Sequence, residues 1–142
     1  VAHDAGARVF ETHGRGTGLE LLEEIEHPEG RARDRDMSSD RPGRAFRKNS
    51  GDPSRASMSQ AEGPHDRAVS DFARALAEKL KDGRMQNRYW RLVLVAPPRF
   101  LGLLRAALDD PTAKLVTASL DKDLAAEKTS ELAERLSKVV AL

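Results

Sequence analysis

Arginine side chains are the most chemically pointed residues of this 142-residue chain. Arg31, Arg33, Arg35, Arg41 and Arg44 crowd into residues 31–48, with Arg47 and Lys48 behind them. Against them stand Asp34, Asp36 and Asp40, so the segment carries +4; the chain totals +1, which leaves −3 for the remainder. A guanidinium is a planar fork of donors that matches phosphate or carboxylate oxygens two at a time. The set therefore points to an anionic partner, either RNA backbone and the ribosome or an acidic protein face. The competing reading is pairing among the segment's own arginines and aspartates, which would order it without any ligand. Phe46 is the one aromatic in the segment, and Tyr89 and Trp90 lie far along the chain, so base-specific recognition of a single strand is not expected.

Two further groups have usable chemistry. Val95-Ala96-Pro97-Pro98-Arg99-Phe100 marks the handover from a buried strand to a helix, the edge where open α/β sheets favour ligands. The two prolines delete the N–H donors that a phosphate cradle needs, so an anion there would be held by the side chain of Arg99; Arg99 and Lys122 would join the loop arginines on an anionic partner. The bland alternative is a stiffened crossover with a solvated arginine. Asp4, Asp121 and Asp123 each follow an expected strand end; converging, they would suit Mg²⁺ and metal-dependent phosphodiester hydrolysis. The alternative is that Asp4 makes a turn with Gly6 while Asp121 and Asp123 cap the next segment around Lys122. His3, His13, His27 and His65 are scattered, and His65-Asp66 reads as a cap opening a helix. Neither a Gly-x-Ser-x-Gly elbow nor a His-Glu-x-x-His helix occurs, so no complete catalytic motif is present and no cofactor is expected unless the Mg²⁺ reading holds.

Composition narrows the class. There are no cysteines, which removes disulfides, thiolate zinc sites and thiol catalysis together. The near-balanced charge argues against a dedicated DNA-binding domain. No run approaches the roughly 20 apolar residues that span a bilayer, and no signal-peptide core is visible, so a cytoplasmic protein is the expectation. The length suits one domain, residues 1–142.

The elements that must position these groups follow from periodicity. Residues 1–3 read as the tail of a strand, 7–11 as a second strand and 19–26 as a third, the last a strand rather than a helix because it is short and bounded by glycines and His27-Pro28. Residues 29–64 hold seven apolar residues in 36, four of them alanine, too few to offset chain entropy. They form a long polar loop, spanning 30–64, with 49–63 its flexible part. A helix is expected over 65–82, stopped by Gly83; a buried strand over 91–96; a helix from Pro97-Pro98 to Leu108; a strand over 115–120; and a last helix from about Thr129, capped by Thr129 or Ser130. The apolar stripe of that helix would support a homodimer. The order β-β-β-loop-α-β-α-β-α implies a three-layer α/β fold, a mixed sheet with helices on both faces.

The motifs HDAGARVFE, LELLEEIEHP, SDRPGR, LVLVAPPRFLGLLRAAL and LDKDLA, in this order, resemble the bacterial host attachment protein family over nearly the whole chain. Members are described as required for attachment to host cells. The family in turn is similar to the central domain of archaeal and eukaryotic peptide-chain release factors, which implies a ribonuclease-H-like cast and association with the ribosome or RNA. The Gly-Gly-Gln tripeptide that release factors use in peptidyl-tRNA hydrolysis is absent; Gln60 sits in Ser-Met-Ser-Gln-Ala without preceding glycines, so no catalytic residue is carried over. The reading is a non-enzymatic binding module whose loop arginines meet an anionic partner.

Overall fold

The structure, a computed structural model, describes residues 1–14, 16–31 and 63–140. Strands β1 (Ala2–His3), β2 (Gly6–Glu11) and β3 (Glu20–Glu26) come first, followed by a 3-10 turn at Pro28–Arg31. Then follow helix α1 (Pro64–Met85), strand β4 (Leu92–Val95), helix α2 (Pro98–Ala107), the short helix α3 (Asp110–Ala113), strand β5 (Val116–Leu120) and helix α4 (Thr129–Val139). The mixed α/β class is as expected, and residues 20–26 do form a strand. The polar loop at 30–64 lies outside the described residues except at its two ends, as does its expected flexible part, 49–63, apart from Gly63.

The strands do not make the one mixed sheet expected from their order. They form a three-stranded antiparallel sheet, β1-β2-β3, and a two-stranded parallel sheet, β4-β5. β1 is only two residues long and its ladder faces β2, pairing Ala2 with Ala7 and His3 with Gly6. Among the described residues no backbone hydrogen bond joins the two sheets. What unites them is side-chain packing on both faces. Successive strand residues point to opposite sides, and β4 uses both: Leu92 and Leu94 join one core, Val93 and Val95 the other.

The first core is built on α1 and α2. Val69, Phe72, Ala73, Leu76 and Ala77 recur at helical spacing and bury one stripe of α1, and Phe100, Leu101 and Leu104 do the same for α2. Ala2 and Ala7 of the antiparallel sheet close it. The second core sets Leu132 and Leu136 of α4 against Val95 and Leu124, with Val1 and Phe10 at its margin. Both sheets feed both cores, so helices cover two faces. Arg8 links the layers: its Nη2 donates to the carbonyls of Leu124 (3.2 Å) and Ala125 (2.7 Å), and its guanidinium lies 5.3 Å from the Phe10 ring centre.

Three helix boundaries differ from the sequence reading. α1 runs through Gly83 to Met85, and Asn87 takes the left-handed turn (φ 58°) in its place. Gly83 instead makes room for Tyr89: a Cβ there would sit 3.2 Å from the ring, whose hydroxyl donates to the Leu80 carbonyl. Asp109 does more than end a helix. Its Oδ1 accepts from the Thr112 amide at 3.2 Å and so nucleates α3, which leaves Thr112 fully buried. α4 is preceded by Lys128, with no side-chain cap from Thr129 or Ser130.

Candidate functional site at the carboxyl edge of β4

β4 ends at Val95, Ala96 is fully buried, and Pro97 and Pro98 open α2. A proline at the first helical position loses nothing, because that N–H has no intrahelical acceptor. The next residue, Arg99, is thereby fixed on the first turn of α2, beside the first turn of α1. There its Nη2 donates to Oδ1 of Asp66 at 2.7 Å. Asp66 also accepts from the backbone of Gly63, the residue before α1, which is the reciprocal half of a capping box.

These contacts fix the charges. The Arg99 hydrogen bond, ahead of the positive charges of Arg99 and His65, holds the Asp66 carboxyl below the usual carboxylate range. The same bond, with the negative charges of Asp66 and Asp4, makes the guanidinium still harder to deprotonate. The Arg99 side chain nonetheless stays 62% exposed, so most of its donor fork remains open to an outside partner.

Two histidines brace the edge. His27 Nδ1 donates to the Asp4 carbonyl at 2.6 Å, its Nε2 lies 3.5 Å from a Glu29 carboxylate oxygen, and its ring stacks on Phe72 at 4.3 Å. His65 Nε2 donates to the Gly30 carbonyl at 2.9 Å, and its Nδ1 stands 3.9 Å from Asp66 Oδ1. Since a carbonyl only accepts, each bond requires the proton on the ring nitrogen that makes it. Gly30 touches the Asp4 backbone so closely that a Cβ would fall 1.7 Å from the Asp4 carbonyl oxygen. The β1–β2 turn, the 3-10 turn and the starts of α1 and α2 are thus knitted into one surface. Residues 31 and 63, which flank the basic segment, both belong to it.

The residues singled out in the sequence are divided by the fold. Arg33, Arg35, Arg41 and Arg44 lie outside the described residues, and of Arg31 only the backbone, closing the 3-10 turn, is described. Arg99 and Asp4 are brought to the same edge. Lys122, Asp121 and Asp123 lie exposed just beyond β5, where Asp123 Oδ1 accepts from the Ala125 amide at 3.2 Å. Asp4, Asp121 and Asp123 are not gathered into one ligand set: among the described residues, the trio whose ligand atoms all fall within 4.8 Å of one another is Glu11, His13 and Glu20. His65-Asp66 does open a helix, yet the cap itself is Gly63, and Asp66 serves a partner 33 residues away. His27, His65 and Asp66 were legible only as helix and strand boundaries; nothing in their spacing announces that they share a surface.

The sequence matches the family model described as "Protein required for attachment to host cells" over residues 1–136. No curated protein matches it. No helix among the described residues is long and apolar enough to cross a membrane.

Proposed function

The chain belongs to the host attachment protein family, and from that premise we propose that it is a non-enzymatic binding module whose basic segment and Arg99 contact an anionic partner. The partner favoured is structured RNA or the ribosome, consistent with the resemblance to release-factor central domains; an acidic protein face is the alternative outcome of the test. One observation carries the reading. The His65–Gly30 bond ties together the two ends of a segment holding seven basic residues in 31–48, and it does so beside the exposed guanidinium of Arg99. A strongly basic segment would thus emerge next to a cation already in place, at the helix starts that favour anions.

Phosphate recognition of this kind is salt-dependent, because each neutralised phosphate releases counterions. The Arg41→Gln/Arg44→Gln double variant is expected to bind structured RNA or ribosomes about tenfold or more weakly in co-sedimentation. Its log–log salt slope should be shallower by about two. Wild-type binding that ignores salt, or a double variant that binds like wild type, overturns the RNA reading. Capture of an acidic protein that is lost in the same variant, with RNA unbound, would assign the surface to a protein partner.

A further inference from the structure

At the opposite end of the β2–β3 hairpin the sequence singled out nothing, but the fold assembles a metal-ligand set. Glu11 and Glu20 are the last partners in the antiparallel register, directly across from each other where β2 ends and β3 begins. His13 follows two residues after Glu11, and the chain bends so that its Nε2 lies 3.8 Å from Glu11 Oε2. One ligand atom from each of the three residues lies within 4.8 Å of the other two. The loop that returns the chain is itself held: Thr17 Oγ1 and its amide both bond to the Gly14 carbonyl. Gly14, Gly16 and Gly18 all take positive φ, which side chains adopt only with strain.

The charge balance argues independently for a cation. Like charges directly opposite on an antiparallel pair destabilise it, and here two carboxylates occupy one such pair. Glu23, on the same strand, has Lys79 at 2.9 Å. Glu20 has no cationic partner among the described residues, and Glu11 has only His13. Among the described residues, the imidazole of His13 and the two strand-end carboxylates meet with no lysine or arginine beside them.

We propose that Glu11, His13 and Glu20 form a divalent transition-metal site, with Zn²⁺ the ion of the matching chemistry. An imidazole nitrogen with two carboxylate oxygens suits Zn²⁺; Ca²⁺ takes six to eight oxygens and Mg²⁺ keeps its waters. Ligand bonds of about 2.0–2.2 Å on a tetrahedral ion set the donors roughly 3.4 Å apart, so side chains now within 4.8 Å of one another need close by at most about 1.4 Å. Three protein ligands leave a fourth position for water or for a donor from a partner molecule. Bound there, the ion staples the loop end of the hairpin and replaces carboxylate repulsion with a shared charge.

Calorimetric titration of the full chain with ZnCl₂ at pH 7 tests the site. The expected result is one ion per chain, with Kd raised at least tenfold in His13→Ala and in Glu20→Gln, while Glu24→Gln, an exposed acid on the same hairpin, binds like wild type. Far-UV circular dichroism of each variant checks that the hairpin change leaves the fold intact, as all three side chains are at the surface. Absence of Zn²⁺ binding at tens of micromolar overturns the proposal. So does a Kd unchanged in His13→Ala and Glu20→Gln, or one weakened equally by Glu24→Gln, which would mark a diffuse acidic surface.

Discussion

Asp66 and Arg99 show how one ion pair ties two helices whose starts would otherwise be joined only by packing. Their 2.7 Å bond lies at the surface, so its contribution is modest and screened. Its signature is the dependence on pH. The folded carboxyl titrates below its unfolded value because Arg99 favours the charged form. A depressed acid stabilises the fold above its unfolded pKa and loses that contribution as pH falls through the folded pKa. Urea midpoints of wild type and Asp66→Asn should therefore differ near neutrality, with wild type the more stable, and converge as pH drops below about 3.9. A gap that persists to about pH 2, below the ordinary carboxylate range, would show that the substitution harms packing rather than charge. In the sequence Asp66 is visible only as an acid on a helix's first turn; its partner lies 33 residues on, and only the fold could supply it.

At the level of elements, the 3-10 turn is the piece that carries the basic segment's first end, and its own bond from the Gly30 amide to the His27 carbonyl (3.0 Å) is reinforced by contacts with the rest of the fold. Gly30 lies on the Asp4 backbone, and His27 and His65 reach the Asp4 and Gly30 carbonyls from either side. Gly30→Ala is expected to cost about 3 kcal/mol, read from the urea midpoint, because a methyl cannot enter a backbone contact without moving it. A variant as stable as wild type would mean that the turn shifts freely. Strand and helix positions were legible because the buried strand is a short continuous apolar run and the helices repeat their apolar residues at a period of 3.6. The run Leu92–Val95 and the stripe Val69-Phe72-Ala73-Leu76 are the clear cases. α3 was not, since four residues around Asp110-Pro111 look like a stop and only the Asp109–Thr112 bond turns them into a helix. Gly83 misleads for a similar reason: a glycine near a helix end suggests termination, whereas here it is kept small by Tyr89.

For the molecule as a whole, β4 is the shared wall of two cores. Phe100 is fully buried in the first and Leu132 fully buried in the second. Truncating either to alanine is expected to cost about 3–5 kcal/mol. Because Val93 and Val95 face one core while Leu92 and Leu94 face the other, both variants should lower the same cooperative transition in far-UV circular dichroism and in hydrogen exchange of β4 amides. Two separate transitions, each moved by only one of the variants, would show that the layers fold independently.

Composition and periodicity by themselves determined the mixed α/β class, the strand reading of residues 20–26, the absence of thiol chemistry and the concentration of basic charge in 31–48. These depend on local pattern, which each segment carries within itself. Tertiary structure alone decided that the strands split into an antiparallel and a parallel sheet, that Arg99 meets Asp66 beside the ends of the basic segment, and that Glu11, His13 and Glu20 converge. Each of these is set by register and by packing across distant segments. A pairing energy of that kind is not written in any one stretch of sequence, since it arises only when two stretches meet.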